Sequence, residues 1–301
     1  MAAATAAPLD QGTGAGRSKW WRRDGSVAAL CLLPSLVIFA AFCFLPLWRL
    51  VNIGLYRSND FGTRQHYVGW SQYWDVLTGS EFRDGLVHSL LYVLYTVPAG
   101  LVLGTVLAVV ANRRLRGIRI FQTIFASTIA TSVAVAAVIF FVLINPVVGM
   151  FNQLNLLSRP GWALFGVSLS SIWQNLGLCF VIVLAGLQAI PEELLEAATL
   201  DGYGSVRRFF KVTLPLLSPI LLFLVVVLVV FGMQSYAQIE VLTAGGPVHS
   251  TETLVWKIFH SQTPAKAGTG AVMSLGLFVV TAIISALQFA LLSRRVHYGN
   301  D

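Results

Sequence analysis

The chain has 301 residues, of which 56% are hydrophobic and only 11% charged. Soluble domains carry about 25% charged residues, so this composition excludes a soluble enzyme, and its high apolar content excludes a disordered chain. The formal net charge is +7. In so apolar a chain the placement of the basic residues matters more than their sum, because Lys and Arg set membrane orientation.

A bilayer core about 30 Å thick needs roughly 20 apolar residues in a helix. Six runs qualify: residues 27–47, 88–111, 120–144, 166–190, 214–236 and 271–292. They predict an all-α membrane protein with six transmembrane helices. Residues 1–26 read as a tail, residues 27–295 as the six-span domain, and residues 296–301 as a second tail. The first run contains Pro34 and Pro46 and is longer than the apolar core of a signal peptide, so it reads as a retained span. The second to sixth runs contain no Asp, Glu, Lys or Arg. Cys31, Cys43 and Cys179 lie inside apolar runs without metal-type spacing, which predicts neither a disulfide framework nor a metal site.

The basic residues alternate between the two sides. Arg17, Lys19, Arg22 and Arg23 precede the first run, and Arg113, Arg114, Arg116 and Arg119 link the second to the third. Arg207, Arg208 and Lys211 link the fourth to the fifth, and Arg294 and Arg295 follow the sixth. Fewer basic residues fall on the opposite side, so the positive-inside rule predicts both termini in the cytoplasm. The outer loop over residues 52–87 carries Tyr56, Tyr67, Trp70, Tyr73 and Trp74, residues suited to the headgroup level. The outer loop over residues 145–165 carries the turn signals Asn145-Pro146 and Arg159-Pro160-Gly161.

The cytoplasmic segment at about residues 190–213 is the most informative. Pro191 suits the first position of a short helix, with Glu192 and Glu193 in a first turn that favours anions. Leu194, Leu195, Ala197, Ala198 and Leu200 give that helix an apolar side, and Asp201-Gly202 ends it. A second short amphipathic helix is expected from about Ser205, with Pro215 and Pro219 in the first turns of the fifth span. Two short helices on a glycine elbow form a surface that another protein could grip. An amphipathic connector lying on the membrane is the plainer alternative.

Glu196-Ala197-Ala198, Asp201-Gly202, Phe209, Leu214-Pro215 and Pro219 resemble the EAA loop of binding-protein-dependent ABC importer permeases. Thr243-Ala244-Gly245-Gly246-Pro247 and Thr253-Leu254 resemble the outer segment before the last span in the carbohydrate-uptake, maltose-permease-like branch. Phe121-Gln122-Thr123, Leu187-Gln188-Ala189-Ile190-Pro191 and Arg207-Arg208-Phe209-Phe210-Lys211 are similar to members that take up sn-glycerol-3-phosphate. Tyr203 departs from the pattern, which has a small residue after Asp-Gly. The resemblance implies a type I ABC importer permease core whose coupling helix involves Glu196, Ala197, Ala198, Asp201, Gly202, Tyr203 and Gly204. It implies a second six-span permease subunit, two cytoplasmic ABC ATPase subunits that bind ATP and Mg, and an extracytoplasmic substrate-binding protein. The chain itself would need no cofactor. The implied substrate is sn-glycerol-3-phosphate or a glycerophosphodiester, with a disaccharide or other sugar as the alternative.

Polar residues at membrane depth are candidates for the substrate path. Here they are neutral: Trp173, Gln174 and Asn175 in the fourth span, and Gln234, Tyr236 and Gln238 at the end of the fifth. Thr128, Thr131 and Ser132 lie in the third. Hydrogen bonding between packed spans is the plainer reading of each. An ion-coupled secondary transporter would be expected to bury carboxylates, and none lies within these spans. An intramembrane protease would need a nucleophile and base within the spans, and the only span histidine is His88, at an edge. No phosphate-binding Gly-x-x-x-x-Gly-Lys-Ser/Thr run is present, so ATP hydrolysis is expected in a separate subunit.

Overall fold

The computed structural model describes residue 28 and residues 31–59, 65–113 and 117–293. The expected tails lie outside these residues, as do Arg17, Lys19, Arg22, Arg23, Arg64, Arg114, Arg116, Arg294 and Arg295. Two compact units are distinguished, Met1–Asn52 and Ile53–Asp301.

The first unit is built on helix α1 (Cys31–Gly54), whose last two residues belong to the second. Its middle is a wide π turn, Ala40–Phe44, immediately before Leu45-Pro46. Pro46 has no N–H to give the carbonyl of Phe42, and its ring would press on that carbonyl. A wider turn relieves both faults without ending the helix.

The second unit opens with a two-stranded antiparallel hairpin, β1 (Tyr56–Ser58) and β2 (Gln65–Tyr67), in which Tyr56 pairs with Tyr67. The amphipathic helix α2 (Ser71–Thr78) follows. Trp70 and Trp74 are exposed there, as expected of an interfacial segment.

Four long helices of this unit can cross a membrane: α3 (Ser80–Ala111), α6 (Pro160–Gln188), α8 (Ser205–Met233) and α11 (Ala267–Ser293). Each starts earlier than its apolar run; α3 and α8 do so through polar first turns, residues 80–84 and 205–211. Helix α3 packs along α6, and α8 packs on both. Val97, Ala108, Phe180, Val183, Leu217 and Leu224 are buried at this centre. Small residues permit the close approach. A Cβ on Gly104 would collide with Cys179 Cβ and come within 3.2 Å of the Phe180 backbone nitrogen.

The third apolar run is not one straight span. Helix α4 (Ile118–Ala126) tightens into a 3-10 turn at Ser127–Ala130, and α5 (Val133–Ile144) leaves at 107° to it. Thr131 and Ser132 are extended between them. Their sequence explains the break: Ser127, Thr128 and Ser132 all use their hydroxyls on nearby backbone groups. Such local bonds compete with the helix ladder. With the broken pair taken as one span, the described residues hold six candidate spans.

Two expectations about the segment before α8 are corrected. The second short helix is not separate, because Ser205–Met233 is continuous through a π turn at Phe209–Thr213. That turn again directly precedes a Leu-Pro pair, Leu214-Pro215, and has the same cause as the one in α1. Pro215 and Pro219 therefore lie inside the helix and not at its start. Pro191 caps α7 (Glu192–Leu200) from outside and is not its first helical residue.

Replacing Gly104 by Ala should destabilise the α3–α6 contact by about 1–3 kcal/mol, as overpacking does in a tight interior. Gly100→Ala is the control, since nothing lies within 4 Å of its added Cβ. Thermal unfolding in detergent should show a lower midpoint for the first variant only.

Candidate functional site

Helix α7 ends in a Schellman arrangement. Tyr203 N–H bonds the Ala198 carbonyl at 3.0 Å, and Gly202 N–H bonds the Thr199 carbonyl at 3.0 Å. Gly202 stands at φ +79°, where a side chain would be strained, although the space around it is open. The elbow is then tied to the first turn of α8. Arg208 Nη1 donates to Thr199 Oγ1 at 2.9 Å, and Thr199 Oγ1 donates to the Leu195 carbonyl at 2.8 Å. The Arg207 guanidinium lies 4.6 Å from the centre of the Tyr203 ring. That contact is worth about 0.5–1 kcal/mol at an exposed site and gives the unusual Tyr203 a structural role. Ala198 is buried, while Glu196, Ala197, Asp201, Gly202 and Gly204 are exposed. Glu192, Leu195, Glu196, Thr199, Leu200 and Arg208 line a groove of about 500 Å³.

At the other end of α8 lies a cavity of about 490 Å³. Helix α8 stops at Met233, and Gln234, Ser235 and Tyr236 form a short link to helix α9 (Ala237–Leu242). The sequence placed Gln234, Tyr236 and Gln238 at the end of a span, but the first two lie in this link and Gln238 is in α9. The link brings Gln234, Tyr236 and Gln238 to the same cavity as Gln174 and Asn175 of α6. Trp173 is not among its lining residues; its ring packs against Phe140, centroids 6.0 Å apart. None of the lining residues is acidic, basic or a histidine.

One wall of the cavity is a chain of hydrogen bonds that joins α3, α6, the α8–α9 link, α9 and the break before α5. Tyr92 OH bonds Ser171 Oγ, and Ser235 Oγ lies 3.2 Å from Tyr92 OH and 2.9 Å from Gln238 Oε1. Gln238 Nε2 donates to Gln174 Oε1 at 3.1 Å, and Gln174 Nε2 reaches the Thr131 carbonyl at 3.4 Å. Gln238 Oε1 can only accept, and Ser235 has one proton. With that proton on Gln238, Ser235 accepts from Tyr92, and Tyr92 accepts from Ser171. Tyr92, Ser171 and Ser235 were not foreseen as site residues. Ser and Tyr are common in helices, and only the fold shows that these three meet.

Within the cavity lining, Tyr236 stacks on Phe259 of helix α10 (Leu254–His260), with centroids 4.2 Å apart. Trp256 Nε1 donates to Glu240 Oε2 at 2.8 Å, so this carboxylate is held by the protein. The segment over residues 243–253 is tied down by Thr243–Thr251 hydroxyl contact at 2.8 Å and by Lys257 Nζ to Glu252 Oε2 at 3.5 Å. Leu254 N–H donates to Ser89 Oγ at 2.9 Å.

Residues 79–298 match the family described as binding-protein-dependent transport system inner membrane component. The chain belongs to this family. Among relatives of this inner-membrane permease, the sn-glycerol-3-phosphate transport system permease protein UgpA of Yersinia pestis bv. Antiqua (strain Antiqua) is 32% identical over 279 residues. That match covers 89% of this chain and 95% of the relative. UgpA of Agrobacterium fabrum is 31% identical over 282 residues, covering 90% and 96%. A bacterial ABC transporter that imports the acidic polysaccharide alginate has a chain with the same fold, at a TM-score of 0.75 and 20% identity. The match covers 92% of this chain and 98% of that one. A second structure of an alginate transporter, in complex with an alginate pentasaccharide-bound periplasmic protein, matches at a TM-score of 0.76, with 20% identity, over 92% of this chain and 96% of that one. The chain is thus an ABC importer permease of the type I fold, a transport protein and not an enzyme.

Gln238→Leu should lower stability by about 1–3 kcal/mol, because it leaves Ser235 and Gln174 short of partners in a buried wall. Gln234→Leu should change stability by less than about 0.5 kcal/mol, the usual range for an exposed position. Unfolding midpoints of the two purified variants check both.

Proposed function

We propose that this chain forms half of an ATP-driven import path and transmits the ATPase cycle to that path through α8. The observation that carries this reading is the continuity of α8, with the elbow at one end and the neutral cavity at the other. Glu196, Ala197, Asp201, Gly202, Tyr203 and Gly204 form the coupling surface, with Ala198 buried beneath it. Gln174, Asn175, Gln234, Tyr236 and Gln238 belong to the path, and Trp173 supports it from behind. A second six-span permease supplies the other half. Two cytoplasmic ATPase subunits bind ATP and Mg, and an extracytoplasmic binding protein delivers the substrate. The six-span domain covers residues 27–295, with both termini and the elbow in the cytoplasm.

ATP-driven closure of the ATPase pair moves the elbow, and a tied elbow passes that motion to α8 as a rigid body. The cavity at the far end then opens to alternate sides. The substrate is sn-glycerol-3-phosphate or a glycerophosphodiester, a reading supported by the transport system named for the relatives. A sugar is the second reading, favoured by the uncharged amide, hydroxyl and aromatic lining.

Gly202→Trp tests the coupling. A side chain at φ +79° strains the turn, and the indole would stand in open space where the ATPase docks. In proteoliposomes containing the whole importer, transport should fall at least about tenfold, a loss of about 1.4 kcal/mol or more in coupling. If ATPase assembly and uptake both survive unchanged, the elbow is not the coupling surface.

A further inference from the structure

The polar residues of the cavity do two different jobs. Gln174, Gln238, Ser235, Tyr92 and Ser171 spend their hydrogen bonds on one another and on the helix break. The side chains of Asn175, Gln234 and Tyr236 line the same cavity and have no hydrogen-bond partner among the described residues. Each is neutral, and each both donates and accepts. A hydroxyl also donates and accepts, so three such groups around one space match a polyhydroxyl compound. An anion needs donors alone and is best met by Arg or Lys, and none lines the cavity. The nearest acidic group of this wall, Glu240, is outside the lining and already engaged by Trp256.

We propose that Asn175, Gln234 and Tyr236 are this chain's substrate-contacting groups and that they read hydroxyls of the substrate, while its phosphate is met outside this cavity wall. The buried wall from Ser171 to Gln174 is then a positioning frame that holds α6 and the α8–α9 link at a fixed spacing. The inference rests on the cavity being part of the path, but not on which hydroxylated compound is carried. Phosphate recognition, in this division, falls to cationic groups of the second permease subunit or of the binding protein. The tight stacking of Tyr236 on Phe259 fixes the direction in which its hydroxyl is presented.

The test uses the complete importer in proteoliposomes with Asn175→Ala, Gln234→Ala and Tyr236→Phe. The last variant removes one oxygen and keeps the stacked ring. Uptake of sn-glycerol-3-phosphate is compared with that of an analogue lacking the two free hydroxyls, propyl phosphate, and with that of its methyl phosphodiester. Each variant should carry sn-glycerol-3-phosphate about five- to tenfold more slowly, the scale of one lost hydrogen bond. The loss should vanish with propyl phosphate, because the hydroxyl partner is already gone. It should persist with the phosphodiester, because only the phosphate has changed. Losses that follow the phosphate change, or uptake within twofold of the parent for all three variants, would overturn the proposal. If the parent importer carries a disaccharide and no glycerol phosphate ester, the substrate reading fails alone. The same three variants and a deoxy-disaccharide then decide the hydroxyl proposal. Co-purification of the ATPase with each variant separates loss of recognition from loss of assembly.

Discussion

A hydrocarbon interior offers no water, so every backbone polar group must find a partner within the protein. The break between α4 and α5 is where this constraint presses hardest. Thr131 is extended and has left the ladder, and its carbonyl is approached by Gln174 Nε2. Ser132 Oγ accepts from the Val135 N–H and starts the next helix. Gly177 of α6 lets the 3-10 turn come close enough for this, since a Cβ there would strike Thr128 Oγ1 and lie 2.9 Å from the Ile129 backbone nitrogen. Once Gln174 is committed to Thr131, its oxygen is free to receive Gln238. The break, the packing of α4 on α6 and the wall of the cavity are therefore consequences of one backbone requirement.

The two ends of α8 are matched in a similar way. Its N-terminal turn is fixed to α7 by Arg208 and Thr199, while its C-terminal turn passes into Ser235 and the buried wall. The contacts at the elbow are exposed and weak, and those at the cavity are buried and cooperative. Both ends of the helix are thus tied to their surroundings, which suits it to the rigid-body role proposed for it. The π turn at Phe209–Thr213 does not weaken this rod, because it widens one turn without interrupting the helix.

Much of this was legible in the residues. Runs of hydrocarbon length located all six spans, and the Gly202 elbow followed from the need for a left-handed residue after a helix. The EAA-like residues carry the family resemblance in the sequence alone. The broken third span was not legible, because residues 120–144 carry no charge and are hydrophobic enough over their length to read as one span, and hydropathy does not register a change of direction. Thr131 and Ser132 were singled out as polar groups at depth, but not as a bend. Nor did the sequence separate Gln174 from Asn175. They are neighbours on α6, yet one is bound into the wall and the other faces the cavity, a distinction set by where α9 lies. Trp173, read together with them, points to Phe140 instead.

The length of α8 has a consequence of its own. At 1.5 Å per residue its 29 residues extend about 43 Å, against a hydrocarbon core of about 30 Å. The excess of about 13 Å is enough to clear a headgroup layer. Arg207, Arg208 and Lys211 fall in the first turns of α8, side chains suited to headgroup phosphates and water. On the proposed coupling, an elbow at the end of so long a helix stands clear of the lipid, and an ATPase subunit reaching it need not displace the membrane.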